Sequence, residues 1–300
     1  MQRSFAKSLG REWPYYMLIL PCVIVVFIFH YIPLYGLVIA FQRYNVALGF
    51  SSPWVGLANF RQIFSQTQFT RTIGNTLFIA GGKIIGGIVV PVFFALLLNE
   101  IHNVYVKRVF QTLVYLPYFL SWVIMAGVFI DILSLDGLVN KAIAALGFKP
   151  VQFLGSPNLF PWVMIVTDIW KGFGFGTVVY LAALTSIDPG FYEAALVDGA
   201  GRWMQTLFIT LPLLAPTVVL MTVLSLGRVL NAGFDQIYNL YSPIVYEKGD
   251  IIDTFVYRLG IRQAQYSVGT AVGLFKSVVS AILIGLSQFL AAKLAGYRVF

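Results

Sequence analysis

Six stretches of this sequence, at approximately 15–41, 73–98, 109–133, 160–184, 206–230 and 268–291, are too long and too apolar to face water. A helix needs roughly 20 apolar residues to cross a hydrocarbon core about 30 Å thick, and each stretch meets that length. Together they cover about half of the 300 residues but hold only six of the charged side chains. Composition agrees: 59% of the chain is apolar and 11% charged, against about 25% charged in a soluble domain. Mean hydropathy is +0.82. A soluble fold of this make-up would expose patches that aggregate. A barrel would instead show alternating segments of about 10 residues. Cys22, the single cysteine, lies in an apolar run with no partner and reads as filler. The chain therefore reads as an all-α integral membrane protein, with six helices in a single transmembrane domain over residues 1–300.

Pro21, Pro33, Pro91, Pro117 and Pro212 sit in or at the ends of these runs, a placement that membrane helices tolerate where neighbours satisfy the freed backbone groups. Gly81, Gly82, Gly86 and Gly87 in the second run would let another helix approach closely. The first run begins like a signal peptide, with Arg3, Lys7 and Arg11 ahead of it. Its apolar stretch is too long and no A-x-A site closes it, so it is expected to stay as an anchor. Lys and Arg divide almost evenly between the two sides. With the N-terminus inside, residues 3, 7, 11, 107, 108, 202, 293 and 298 fall inside, and 43, 61, 71, 141, 149, 248, 258 and 262 outside. The inner segments are shorter, so basic density favours the N-terminus inside. The net charge of +8 needs only anionic lipid headgroups as partners, and no nucleic acid.

The segment Ser186-Ile-Asp-Pro-Gly-Phe-Tyr-Glu-Ala-Ala-Leu-Val-Asp-Gly-Ala-Gly-Arg-Trp differs from the other connections. Asp188 and Pro189 read as an N-cap and first helical residue, starting a short helix over about 188–198. Gly199 and Gly201 can end it. By itself this is an interfacial connector, or a helix whose small Ala194 and Ala195 admit a partner. Glu193-Ala194-Ala195, Gly199, Ile209 and Leu211-Pro212 together meet every fixed position of the pattern E-A-A-x3-G-x9-I-x-L-P. That pattern resembles the EAA loop of ABC importer permeases. The resemblance implies a cytoplasmic coupling helix seated on an ATP-hydrolysing subunit, with Glu193, Ala194, Ala195, Asp198, Gly199 and Arg202 in or beside the contact. It also implies that both termini are cytoplasmic.

Other stretches resemble the polysaccharide-importer branch of that family: Tyr31-Ile-Pro-Leu-Tyr-Gly-Leu-Val-Ile-Ala-Phe, Gly56-Leu-Ala-Asn-Phe, Asn239-Leu-Tyr-Ser-Pro, Asp253-Thr-Phe-Val-Tyr-Arg-Leu-Gly260 and Gly273-Leu-Phe-Lys-Ser277. Within that branch the chain is most similar to the first permease subunit of alginate importers. The resemblance implies a type I importer permease fold in a bacterial cytoplasmic membrane. Its implied partners are a second, related permease, two ATPase subunits that bind ATP and Mg, and an extracytoplasmic solute-binding protein delivering an oligo- or polysaccharide.

Lys83, Asp168, Lys171, Arg228 and Lys276 fall inside the apolar runs. At about +2.5 to +3.5 kcal/mol each near mid-membrane, they must face a cavity, pair, or reach a headgroup. Asp168 and Lys171 are i,i+3 neighbours that can neutralise each other. Arg228 and Lys276 lie near span ends, where long side chains reach the interface. The excess is positive, so Lys83, Lys171 and Arg228 are expected to give a translocation path a field suited to an anionic sugar. Trp170 and Asn231 join them as candidate path residues. Phe173, Phe175 and Tyr180 also flank the fourth-run charges; such rings can stack on sugars, or pack between helices. Gly172, Gly174 and Gly176 suggest an irregular or closely approached stretch.

No G-x-x-x-x-G-K-[ST] occurs, so nucleotide is expected on a partner and no cofactor on this chain. His30 and His102 are isolated, and no G-x-S-x-G elbow appears. Neither a metal set nor catalysis has support. Two rival readings are an ATP-independent secondary transporter, which often shows inverted repeats, and a membrane enzyme acting on lipid-linked sugar. No repeat is visible and no acid–base set assembles.

Overall fold

The fold comes from a computed structural model that describes residues 5–295. Regular structure among them is helical, apart from two isolated bridges, Gln42–Trp54 and Asn45–Gly49. The first helices are α1 (Phe5–Val26), α2 (Ala58–Phe64), α3 (Thr67–Glu100), α4 (Val104–Tyr115), α5 (Trp122–Leu133), α6 (Leu138–Ala145) and α7 (Phe160–Thr185). There follow α8 (Pro189–Val197), α9 (Arg202–Gln205), α10 (Leu211–Leu226), α11 (Phe234–Leu240), α12 (Tyr246–Gly249), α13 (Ile252–Val256) and α14 (Tyr266–Ala295). Arg3 and Arg298, used above to orient the chain, lie outside the described residues.

Among the described residues, five segments are long and apolar enough to cross a membrane: Trp13–Phe41, Thr67–Glu100, Trp122–Ala145, Arg202–Leu226 and Tyr266–Ser287. The expected fourth crossing, 160–184, is the single helix α7, whose 26 residues span about 39 Å. Asp168, Lys171 and three glycines dilute its apolar content, so it falls short of the other five. The third, expected over 109–133, is two helices rather than one. Pro117 has no N–H to continue α4, and the chain tightens into a 3-10 turn over Leu116–Phe119. It then restarts at Ser121, whose hydroxyl accepts the Ile124 N–H at 3.3 Å. The fifth stops at Leu226 rather than 230, leaving Arg228 and Asn231 in the turn beyond it.

The chain forms two units. One comprises Met1–Ser65 and Leu259–Leu274, the other Gln66–Arg258 and Phe275–Phe300. In the first, the helical rod of α1 continues through a wide π turn at Phe27–Tyr31 and a 3-10 stretch at Ile32–Phe41. Its end leaves carbonyls without helical donors. Asn59 supplies them, Nδ2 donating to Ala40 O at 2.8 Å and Gln42 O at 3.0 Å. That is the physical content of the Gly56-Leu-Ala-Asn-Phe stretch.

The second unit is organised on the α3–α7 pair. A Cβ on Gly82 would lie 2.5 Å from Ile165, and one on Gly86 would overlap Ile169, so both glycines let α7 approach. Gly81 and Gly87 meet open space. Gly174 backs onto the Val114 carbonyl and Gly176 onto Pro91, so this glycine stretch of α7 is regular and closely packed. Ile79, Ala80, Phe160, Met164 and Ile165 are buried with Ile237 and Ile251 from beyond α10. Ala95, Tyr180, Leu184 and Leu214 form a second cluster.

Candidate functional site

Local backbone chemistry sets both ends of α8. Asp188 Oδ1 accepts the Gly190 N–H at 2.9 Å, and Pro189, which has no N–H to leave unpaired, takes the first helical position. At the other end Gly199 adopts φ +81°. The Ala200 N–H donates to Ala195 O at 2.8 Å and the Gly199 N–H to Leu196 O at 3.1 Å. This pair of bonds around a left-handed residue is the Schellman stop, and glycine takes it without the Cβ clash. The glycine of the E-A-A-x3-G pattern is therefore a helix terminator.

Beyond the stop, Gln205 Nε2 donates to Ala200 O at 3.0 Å, and Tyr192 shares a hydrogen bond with Thr210 at 3.0 Å. Arg202 Nη1 lies 3.4 Å from Glu100 Oε2 on α3, an exposed pair of little energetic weight. Pro212 deprives Phe208 O of its helical donor, and the chain widens into a π turn over Thr206–Thr210 before α10. α8 is thus held at its edges and buries none of its own residues. Glu193, Ala194 and Asp198 are exposed, as are the apolar Phe191, Leu196, Val197 (89%) and Trp203 (76%). Glu193 has no ion-pair partner among the described residues.

The second set of candidates sits on α3 and α7. Lys83 Nζ lies 3.4 Å from Asp168 Oδ1 and donates to Ala232 O at 2.7 Å and to Gln236 Oε1. All three ammonium donors are satisfied. Gln236 Nε2 in turn donates to Met164 O at 2.9 Å and Thr167 Oγ1 at 2.7 Å. The Lys83 side chain is 8% exposed and that of Asp168 35%. Gly233 turns the chain at φ +94°, where a Cβ would come 2.8 Å from Lys83 Nζ. The network fastens the turn after α10 onto the α3–α7 pair.

Lys171 makes no ion pair with Asp168, which turns to Lys83 instead. The Lys171 Nζ donates to Tyr118 O at 2.9 Å, 5.4 and 5.3 Å from the Tyr118 and Trp122 ring centroids. That carbonyl is left over by the break between α4 and α5, and the lysine fills it. Lys276 is ion-paired with Asp253 rather than extended to a headgroup. Of the three cations expected to shape a path, Lys83, Lys171 and Arg228, only Arg228 is exposed and without a side-chain partner among the described residues. Asn231 beside it is exposed as well. Trp170 meets Phe129 edge-on at 5.7 Å, and Phe173 meets Phe94 at 5.2 Å. Phe175 stacks on Tyr118 at 4.2 Å. These rings pack helices together.

Sequence patterning gave no sign of Gln236, nor of the pair that fixes α12 and α13. Asp250, fully buried, takes both Nη groups of Arg258, Nη1 at 3.1 Å, and the Thr254 hydroxyl at 2.7 Å. Burial alone would lower the pKa of Arg258, but hydrogen bonds and charge from Asp250 raise it above the ordinary value. The Tyr241 phenol nearby is pushed up, first by burial and then by Tyr246.

Residues 87–296 match the family model of the binding-protein-dependent transport system inner membrane component. The chain is 41% identical to the polygalacturonan/rhamnogalacturonan transport system permease protein YteP of Bacillus subtilis, over 97% of this chain and 91% of that one. It is 39% identical to protein LplB of the same organism, over 97% and 92%. A solved bacterial alginate ABC transporter, in complex with an alginate pentasaccharide-bound periplasmic protein, superposes at a TM-score of 0.90 with 38% identity, covering 98% of this chain and 99% of that chain. A second, a bacterial ABC transporter involved in import of the acidic polysaccharide alginate, gives 0.89 and 39% over 96% and 98%. With a capped, outward-facing E-A-A helix joined to a close-packed membrane pair, this chain belongs to the family of binding-protein-dependent transport system inner membrane components.

Proposed function

We propose that the chain is the membrane-spanning subunit of an ATP-driven importer that moves acidic oligosaccharides into the cytoplasm by alternating access. The observation that carries the reading is the exposed, doubly capped helix α8 (Pro189–Val197), three residues after the end of α7. A partner ATPase covers Phe191, Leu196 and Val197 and pushes on α8. That motion passes through α7 to the Lys83–Asp168 network and the turn bearing Arg228 and Asn231. ATP and Mg are held by two ATPase subunits. α8 and both termini lie on the cytoplasmic side of the cell's inner membrane. Within Trp13–Phe41 only Ala40, near its end, is buried, which suits a helix that packs on a second, related permease. A solute-binding protein delivers sugar from outside. The acidic substrate class is supported by the names of two relatives, one a transporter of polygalacturonan, the other of alginate.

The test is ATP turnover by the reconstituted complex with binding proteins loaded with acidic or neutral oligosaccharides. An ATPase subunit co-purifies and acidic sugar stimulates hydrolysis more strongly. Uptake by this chain with no ATPase attached rejects the proposal.

A further inference from the structure

Arg43 follows the long rod ending at Phe41, on a loop fixed from several directions. Its N–H donates to Pro53 O at 2.9 Å, and the Val55 N–H to Phe41 O at 2.8 Å. The next residue, Tyr44, donates its N–H to Ser267 Oγ at 2.9 Å. Tyr44 and Tyr266 meet edge to face, with centroids 6.0 Å apart. Two clefts, of about 310 and 420 Å³, share Arg43, Tyr44, Ala264 and Tyr266, and the smaller adds Gln62 and Gln265. Ala264 holds φ +53°, the sole non-glycine with positive φ among the described residues. Strain of that kind persists where the surroundings enforce it, and it concentrates at binding sites.

Several of the other cations are held by partners, although Arg228, in the turn after α10, is not. Lys83, Lys276 and Arg258 are paired with carboxylates, Lys171 with a carbonyl and Lys248 with Asn158. Arg43 is exposed, and its guanidinium has no acidic or carbonyl partner among the described residues. A free guanidinium offers a planar fork matched to a carboxylate. Edge-to-face packing covers one face of one ring and leaves at least one face of each tyrosine clear of its partner, an apolar platform of the size of a sugar ring. Amide side chains at Gln62 and Gln265 provide donors and acceptors for hydroxyls. The smaller cleft lies at the lower end of the size range for small-ligand sites.

We propose that these clefts bind a uronate unit of an acidic oligosaccharide, with Arg43 taking the carboxylate and Tyr44 and Tyr266 the ring. This rests on the import reading above, and in that topology the site lies on the outer face, where substrate enters. The loop is set before ligand arrives, so little ordering cost is added on binding.

The test uses the whole complex in nanodiscs without binding protein, a galacturonate pentamer carrying a photoreactive diazirine, and a neutral pentasaccharide of equal length. Adducts of the acidic probe map to residues 43–62 and 264–268. R43Q weakens acidic binding about tenfold, the loss of one charge-assisted pair, and leaves the neutral probe unchanged. R43K retains part of the affinity, and Y44A weakens both probes. Docking of the solute-binding protein, measured separately, is unaffected by R43Q. Adducts elsewhere only, equal loss for both probes, or an effect of R43Q on protein docking alone overturns the assignment. If no sugar stimulates ATP turnover in wild type, the import reading fails; if stimulation is intact and R43Q is silent, this site alone fails.

Discussion

Lys83 on α3 and Asp168 on α7 meet at 3.4 Å, although they are far apart in sequence, and only the lysine is enclosed. Both sides of the pair matter. D168N leaves a buried ammonium without its counter-charge, a loss of about 3–5 kcal/mol by analogy with broken buried pairs. K83M leaves a carboxylate that water partly reaches and strips the Ala232 carbonyl and Gln236 Oε1 of their donor, also about 3–5 kcal/mol. Thermal unfolding of the purified complex should place both variants well below wild type. A wild-type melting temperature in either contradicts the network described here.

Gly199 is required for its backbone conformation. G199A forces a Cβ into the left-handed region at about 1–2 kcal/mol, while G199N, which tolerates that region better, should lie between glycine and alanine. G199V should be worst. Sugar-stimulated ATP turnover relative to basal turnover should follow that order, since a blurred stop misplaces Glu193 and Ala194.

Two helix-contact glycines predict different repairs. A methyl on Gly86 meets only the end of Ile169, a flexible side chain. G86A should therefore cost about 1–3 kcal/mol, and I169A should recover part of it in the double variant. A methyl on Gly174 meets the Val114 backbone carbonyl, so G174A should be more damaging and V114A should not rescue it. Yield of assembled complex and its melting temperature test both statements.

Arg258 and Asp250 give a further case. R258Q strands a carboxylate that is completely enclosed, at about 3–5 kcal/mol. D250N leaves Arg258, which sits 4.4 Å over the Tyr246 ring and is itself 12% exposed. R258Q should therefore be the less stable of the two, in the same melting assay.

What sequence made legible was whatever local backbone chemistry decides. Asp188-Pro189 and Gly199 bounded α8 within a residue, and hydropathy located α1, α3, α7, α10 and α14. Charge pairing was not legible in that way. Asp168 and Lys171 share a turn, and the i,i+3 rule matched them, but helix packing rotated Asp168 toward Lys83 and Lys171 toward the carbonyl at Tyr118. Pro117 was visible in sequence; that it would split a crossing was not, because membrane helices often carry proline intact. Gln236 entered the network only because Gly233 reverses the chain, a tertiary outcome with no periodic signature. In sequence Arg43 is one outer-side charge among several, because its clefts depend on residues 264–267 folding back beside it.

The most direct test of the account is sugar uptake by liposomes holding the full complex with E193A and G199D combined in this chain. The account predicts normal insertion of the permease pair, with ATPase subunits that dissociate or hydrolyse ATP without transport. Uptake at the wild-type rate, with ATP turnover still stimulated by loaded binding protein, would contradict it.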